Sequence, residues 1–244
     1  MRNSTPGTRI VAAALAAVLA VWLAAPLTAE PPPSATGARG GEKETRKVEE
    51  AARVLAEMME ESDKSIPLSL LEGCAAIAVI PDVIRAGLII GGRHGKGVLL
   101  VRRDGGGWTD PVFIDIKGGS LGWQAGVQSA DVVLVFRSAR GVENITKGKF
   151  TLGADVGVAA GPLGRQAEAS TDAQLKAEIL SYSRSRGLYA GLTLQGSSIQ
   201  VDDKANENFY GRKDLSALDI LDGRAPQAPA VAAELKRALE EARR

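Results

Sequence analysis

From Ala75 to Leu194 the chain consists of short apolar segments separated by glycine-rich breaks. Ala75–Ile80, Val98–Val101 and Val132–Phe136 are continuous apolar runs. Other segments alternate: Val112, Ile114 and Ile116 share one side, as do Leu121, Trp123, Ala125 and Val127. Phe150, Leu152, Ala154, Val156, Val158 and Ala160 give a longer alternation, and Leu188, Ala190, Leu192 and Leu194 another. Period two is the repeat of a strand with one buried face, and short continuous runs fit strands buried on both. The breaks at 104–107, Gly118-Gly119, Gly148-Lys149, Gly161-Pro162 and Gly196-Ser197 read as turns. They leave little room for crossover helices. The pattern predicts an α+β fold: an antiparallel, β-rich sandwich or barrel of about eight or more short strands, flanked by N-terminal and C-terminal helices.

The flanking helices show the other periodicity. From Lys43 to Asp63, Val48, Ala51, Ala52, Leu55, Met58, Met59 and Ser62 repeat at three- and four-residue spacing against a charged opposite face. Asp202 or Asp203 can cap a short helix through Tyr210, with Gly211 closing it. Val231, Leu235, Ala238 and Leu239 mark an amphipathic helix over 231–244, after a linker at 224–229. At the start, Arg2 and Arg9 precede an unbroken apolar run from Ile10 to Ala25, ended by Pro26. That order reads as a signal peptide over 1–29, with a retained anchor as the alternative. Residues 30–42, rich in proline and glycine, read as a flexible linker.

Bulk charge points to no partner. The formal net charge is +1, and loss of Arg2 and Arg9 with residues 1–29 would make it −1. Neither that balance nor the 4% aromatic content suits a nucleic-acid-binding face. Cys74 is the only cysteine, so no intramolecular disulfide can form, and with the single histidine, His94, it makes no zinc site. No metal or cofactor is expected.

Two motifs invite catalytic readings. Gly118-Gly119-Ser120-Leu121-Gly122 matches the G-x-S-x-G elbow of hydrolases, but that elbow needs a helix after the serine and a histidine later in the chain. Here a strand pattern follows, and His94 precedes Ser120. Gly91–Gly97 resembles a phosphate-cradling loop with the wrong spacing and with Gly97 where a hydroxyl should stand. A turn between two strands is the simpler reading. No enzyme is expected.

One local bias remains. Between Asp82 and Asp104 there is no acidic residue, while Arg85, Arg93, His94, Lys96, Arg102 and Arg103 all fall inside. Exposed together, and joined by Arg46 and Lys47 of the first helix, they would form a positive patch on a nearly neutral protein.

The ordered motifs Ile77–Pro81, Gly91-Gly92, Gly95–Val98, Trp108–Pro111, Gly118–Ser120 and Gln124–Gly126 resemble the start of the SYLF domain. Gly153–Asp155 with Gly161–Arg165, Tyr182–Gly191 and Asn206–Gly211 resemble its later segments. The resemblance spans about residues 46–211 and implies a SYLF-type lipid-binding domain over 43–222, followed by a linker and helix over 223–244. Members of this family bind phospholipid, and eukaryotic ones bind phosphoinositides and in some cases actin. With the signal peptide, the resemblance implies a bacterial, exported type: periplasmic or secreted, associated with an anionic phospholipid membrane. An exported protein would not meet cytoplasmic actin, so actin is not expected as a partner. The expected function is non-enzymatic binding of lipid headgroups through the eight basic residues named above. The alternative is a structural or scaffolding protein that binds another envelope protein.

Overall fold

The computed structural model describes residues 35–60, 66–87, 90–121, 126–148, 150–163, 176–185, 188–190 and 194–242. The 1–29 segment read as a signal peptide lies outside them. Six helices and nine strands are found among these residues: α1 (Ala35–Met59), α2 (Leu68–Gly73), β1 (Ala76–Gly87), β2 (Ile90–Val101), β3 (Val112–Leu121), β4 (Gly126–Phe136), α3 (Ala139–Thr146), β5 (Phe150–Thr151), β6 (Val158–Ala160), β7 (Ile179–Ser185), β8 (Leu188–Ala190), β9 (Ser197–Val201), α4 (Asp203–Tyr210), α5 (Ala217–Leu221) and α6 (Ala230–Glu241).

The strands form one curled, half-barrel sheet in the order β5-β9-β3-β2-β1-β4-β7-β6, with β8 on β7. Every pairing is antiparallel except β6 with β7. The α+β expectation of a β-rich antiparallel body between terminal helices is what the chain adopts. The centre of the sheet is buried on both faces: Ala76–Ile80, Val98–Leu100 and Val132–Phe136 are all fully covered. This is why these three stretches read as continuous apolar runs rather than alternations.

Helix α1 covers the sheet with Val48, Ala51, Val54, Leu55 and Met58, all buried, and Glu57 is ion-paired with Arg184 of β7. It begins at Ala35, inside the segment expected to be a linker. No proline interrupts the chain between Pro33 and Met59, and Gly41 packs near the Asn208 carbonyl, where a β-carbon would stand 3.5 Å away. Helix α4 is capped as its sequence suggests: Asp202 Oδ1 accepts from Ala205 N at 3.1 Å, and Gly211 closes it at φ 66°. Its Asn206 accepts from Phe113 N at 2.8 Å, and the Tyr210 hydroxyl donates to Pro111 O at 2.7 Å, which fixes α4 on β3. Helix α6 seals the base through Val231, Leu235 and Leu239, with Lys236 2.6 Å from Asp110.

Two readings of the glycines change. Gly91–Gly97 is no turn; it lies within β2. The long alternation from Phe150 to Ala160 is two short strands broken at Gly153 (φ 87°), where Asp155 accepts from Thr151 N at 2.6 Å. Within β1, register slips between Val79 and Ile84, with Asp82 at φ 52°. This bulge presses β1 over β2, and only a residue without a β-carbon fits beneath it.

Candidate functional site

Strand register decides which of the expected basic residues meet. Arg85 of β1 lies opposite Arg93 of β2, and Ile84 lies opposite His94. Because side chains alternate, Arg85 and Arg93 share one face, while His94 and Lys96 share the other. Arg93 is 6% exposed, and its Nη1 donates to Ser197 Oγ at 2.8 Å. The residue between them in the register is Gly118, where a β-carbon would stand 2.6 Å from that hydroxyl oxygen. Burial pulls the Arg93 guanidinium below its ordinary range, and the charge of Arg85 adds to the effect. Arg85 is half-buried and His94 is exposed.

Lys96 enters an ion network on the His94 face. Its ammonium bonds Asp202 and lies 3.5 Å from Asp115 Oδ1. Lys117 Nζ reaches Asp115 Oδ2 at 3.0 Å, and Gln200 Nε2 donates to the same oxygen at 3.4 Å. Burial pushes the Asp115 carboxyl up, but the Lys117 hydrogen bond, the two ammonium charges and the Gln200 amide outweigh it and hold the carboxyl below its usual range. Burial likewise pulls Lys96 down, and its bonds and charge attraction to Asp202 and Asp115 more than reverse this. The network ties β2, β3 and the start of α4 together. It also offsets much of the charge Lys96 could offer a ligand.

Arg102 and Arg103 sit at the far end of β2. At about 3.4 Å per residue, Arg102 is roughly 30 Å along the strand from Arg93. Arg102 closes α2: Nε donates to Cys74 O at 2.9 Å and Nη2 to Leu71 O at 2.5 Å, while the guanidinium lies 4.6 Å from the Trp108 ring centroid. Arg103 is exposed, in the turn its N–H closes to Gly107 O at 3.1 Å. On α1, Arg46 is exposed and Lys47 is held 2.5 Å from Glu50. The structure therefore gathers Arg85, Arg93 and His94 at one end of the sheet, with Lys96 next along β2, and separates Arg102 and Arg103 from them. Lys117, exposed and opposite His94, belongs with the first group. Sequence reasoning missed it because it lies outside the 83–103 interval.

Ser120 lies in β3 opposite Gly91, and β3 continues to Leu121, so the backbone there is a strand and not a strand-to-helix elbow. Among the described residues no group of three or more His, Cys, Asp or Glu is placed to hold a metal, and no helix is long and apolar enough to cross a membrane.

Residues 117–242 match the family described as Ysc84, Las17-binding protein actin regulator. The chain is similar to SH3 domain-containing YSC84-like protein 1 of Xenopus laevis, 37% identical over 179 residues, which are 71% of this chain and 53% of the relative. It is similar to the Homo sapiens protein of that name, 36% identical over 196 residues, covering 78% and 56%. LAS seventeen-binding protein 3 of Saccharomyces cerevisiae is 36% identical over 201 residues, covering 79% and 43%. The chain thus spans about half the length of the curated relatives it matches.

These matches correct part of the sequence reading. The relatives are animal and yeast proteins, not exported bacterial ones. The expectations of a bacterial exported type, a signal peptide and a periplasmic or secreted location are overturned on that ground. So is the expectation that actin is no partner, because the matching family is described as an actin regulator.

Proposed function

The chain belongs to the SYLF/Ysc84 family, and from that premise we propose that it docks on anionic phospholipid surfaces through the cationic end of β1, β2 and β3. The family is one of non-enzymatic binding proteins, in line with the failed hydrolase and phosphate-loop readings. The observation that carries the proposal is the register that brings Arg85 and Arg93 on one face, and His94 with Lys117 on the other, to the same end of β1, β2 and β3, where residues 83–103 hold no acid. Arg85 and His94 are the members open to a ligand; Lys117 is exposed but shares Asp115 with Lys96, which is engaged by two carboxylates, and Arg93 is buried. A basic residue near an anionic membrane contributes about 1 kcal/mol, so two or three give weak, reversible association.

Co-sedimentation with phosphatidylcholine vesicles, with and without phosphatidylserine, tests this. Binding is expected only to the anionic vesicles. It should weaken steeply with salt, since the screening length falls from about 10 Å at 0.1 M to about 3 Å at 1 M. Reversal of Arg85 and His94 to glutamate should reduce binding while the melting curve stays intact. Equal binding to neutral vesicles, or binding unchanged by both reversals and by salt, overturns the proposal.

A second reading is protein scaffolding in actin regulation. It is favoured by the family description and by the yeast relative, whose name records binding to LAS seventeen. Co-sedimentation with actin filaments, with no vesicles present, tests it separately.

A further inference from the structure

Resting on the membrane reading above, we infer that the open end of the β1–β4 sheet is a bilayer-wetting surface, in which Ile84 and Val127 enter the lipid and His94 and Lys117 meet its anionic headgroups. The inference comes from pairing two stretches of sequence that lie far apart. Residues 83–103 hold no acid, and neither do residues 116–130. The topology folds the ends of these stretches together: Gly87 lies opposite both Gly91 and Gly126, and Ile90 lies opposite Leu121. Four adjacent strands therefore finish side by side in a sheet end free of carboxylates.

One face of that end lies open. Ile84 stands opposite Ser129 on one side and His94 on the other, and His94 stands opposite Lys117. In the next row, Ala86 stands opposite Val127. Directly paired residues share a face, and all six are exposed, Ile84 at 48% and Val127 at 72%. The centre of the sheet is covered on both faces, so two large aliphatic side chains left bare on neighbouring strands form a local departure from that packing. The chain joining these strands, residues 88–89 and 122–125, also carries no charge in the sequence.

The chemistry of the patch selects a membrane as its occupant. A protein-binding surface has no reason to exclude every acid from the ends of four strands. An anionic bilayer does, because each carboxylate would be repelled by the headgroups, while aliphatic tips and flanking basic side chains match its two layers. Two carboxylates mark the border of the surface, both on the side away from the strand ends: Asp115, paired with Lys117 on β3, and Asp82 on β1, whose Oδ1 accepts from Ser129 Oγ at 3.3 Å.

The test labels the full chain. Cys74 is buried, so a cysteine introduced by Val127→Cys is the accessible thiol and can carry an environment-sensitive fluorophore. Leu218→Cys on α5, also an exposed apolar position, is the control. Phosphatidylserine-containing vesicles should shift the emission at 127 to the blue and leave 218 unchanged. Ile84→Asp with Val127→Asp, at exposed positions that leave the core intact, should lower vesicle affinity about tenfold or more, since it replaces buried apolar surface with charge. If the protein binds vesicles but neither the shift nor the loss appears, this inference fails and electrostatic docking stands. If no vesicle binding occurs, both fail. A shift at 127 that grows with protein concentration in the absence of vesicles marks a second copy as the occupant and also overturns the inference.

Discussion

Gly97 lies directly under the main chain of Ile80: a β-carbon at 97 would stand 2.7 Å from Ile80 Cα and 2.2 Å from the Val79 carbonyl oxygen. No rotamer change relieves a clash with backbone, so the bulge in β1 and the glycine in β2 require each other. Gly97→Ala is expected to destabilise the fold by about 1–3 kcal/mol, the range of overpacked cores. Gly92→Ala, in the same strand but with open space above it, should change stability by less than about 0.5 kcal/mol. Urea unfolding of the two variants decides the matter, and equal effects would refute the packing account.

Arg102 is expected to act in folding and not in lipid binding. Its guanidinium accounts for two carbonyls at the end of α2 and lies over Trp108. Hydrogen bonds from a charged donor contribute about 1.5–3 kcal/mol, and Arg102→Ala should cost stability on that scale. Arg102→Lys should recover only part of it, because an ammonium cannot hold a planar fork against both carbonyls and the ring. Chemical denaturation reads the loss, and vesicle binding by the folded fraction should be unchanged.

The Asp115 network should make stability fall in acid. Its folded carboxyl titrates below the usual value, so its contribution is complete above the unfolded value of about 3.9. It is lost as pH falls through the lower, folded value. The opposite flank belongs to Lys96, whose raised folded value keeps its contribution until alkaline pH. In Asp115→Asn the acid-side dependence should flatten, as measured by melting temperature between pH 3 and pH 7. An unchanged slope would place the acid sensitivity elsewhere.

Much of the sheet could be read from its residues, because strands buried on both faces leave unbroken apolar runs such as Val132–Phe136. Strand β7 could not. It reads Ile-Leu-Ser-Tyr-Ser-Arg-Ser, yet Ser181 and Ser183 are buried, and the Ser181 hydroxyl donates to Ala159 O at 3.2 Å. Strand β9 hides for the same reason: Ser197 is fully buried as the acceptor for Arg93. A buried hydroxyl with an internal partner is indistinguishable in sequence from a loop serine. At the site, charge bias identified the right stretch but not the right members. Arg85, Arg102 and Lys96 look alike in sequence, and only register shows that the first borders an open sheet end, the second closes a helix and the third is bound by carboxylates.

Asp131 offers a pH test with the reverse sign. It lies on β4 beside the β1 bulge, and its Oδ1 accepts from Asp82 N at 3.1 Å. Burial pushes its carboxyl above the usual range; the Asp82 N–H and the charge of Arg53 oppose this, while the charges of Asp82 and Glu50 add to it. A carboxyl whose folded value is raised favours the folded state when protonated. That contribution is complete below the unfolded value and is lost as pH rises through the folded one. At neutral pH the ionised group is therefore a liability that its hydrogen bond only partly offsets. Asp131→Asn keeps an oxygen for the Asp82 N–H and removes the charge. The variant should be more stable than the parent at pH 7, and the difference should vanish as pH falls toward 4. Paired thermal melts across that interval measure it, and a variant less stable than the parent at pH 7 would show that the ionised carboxylate supports the bulge after all.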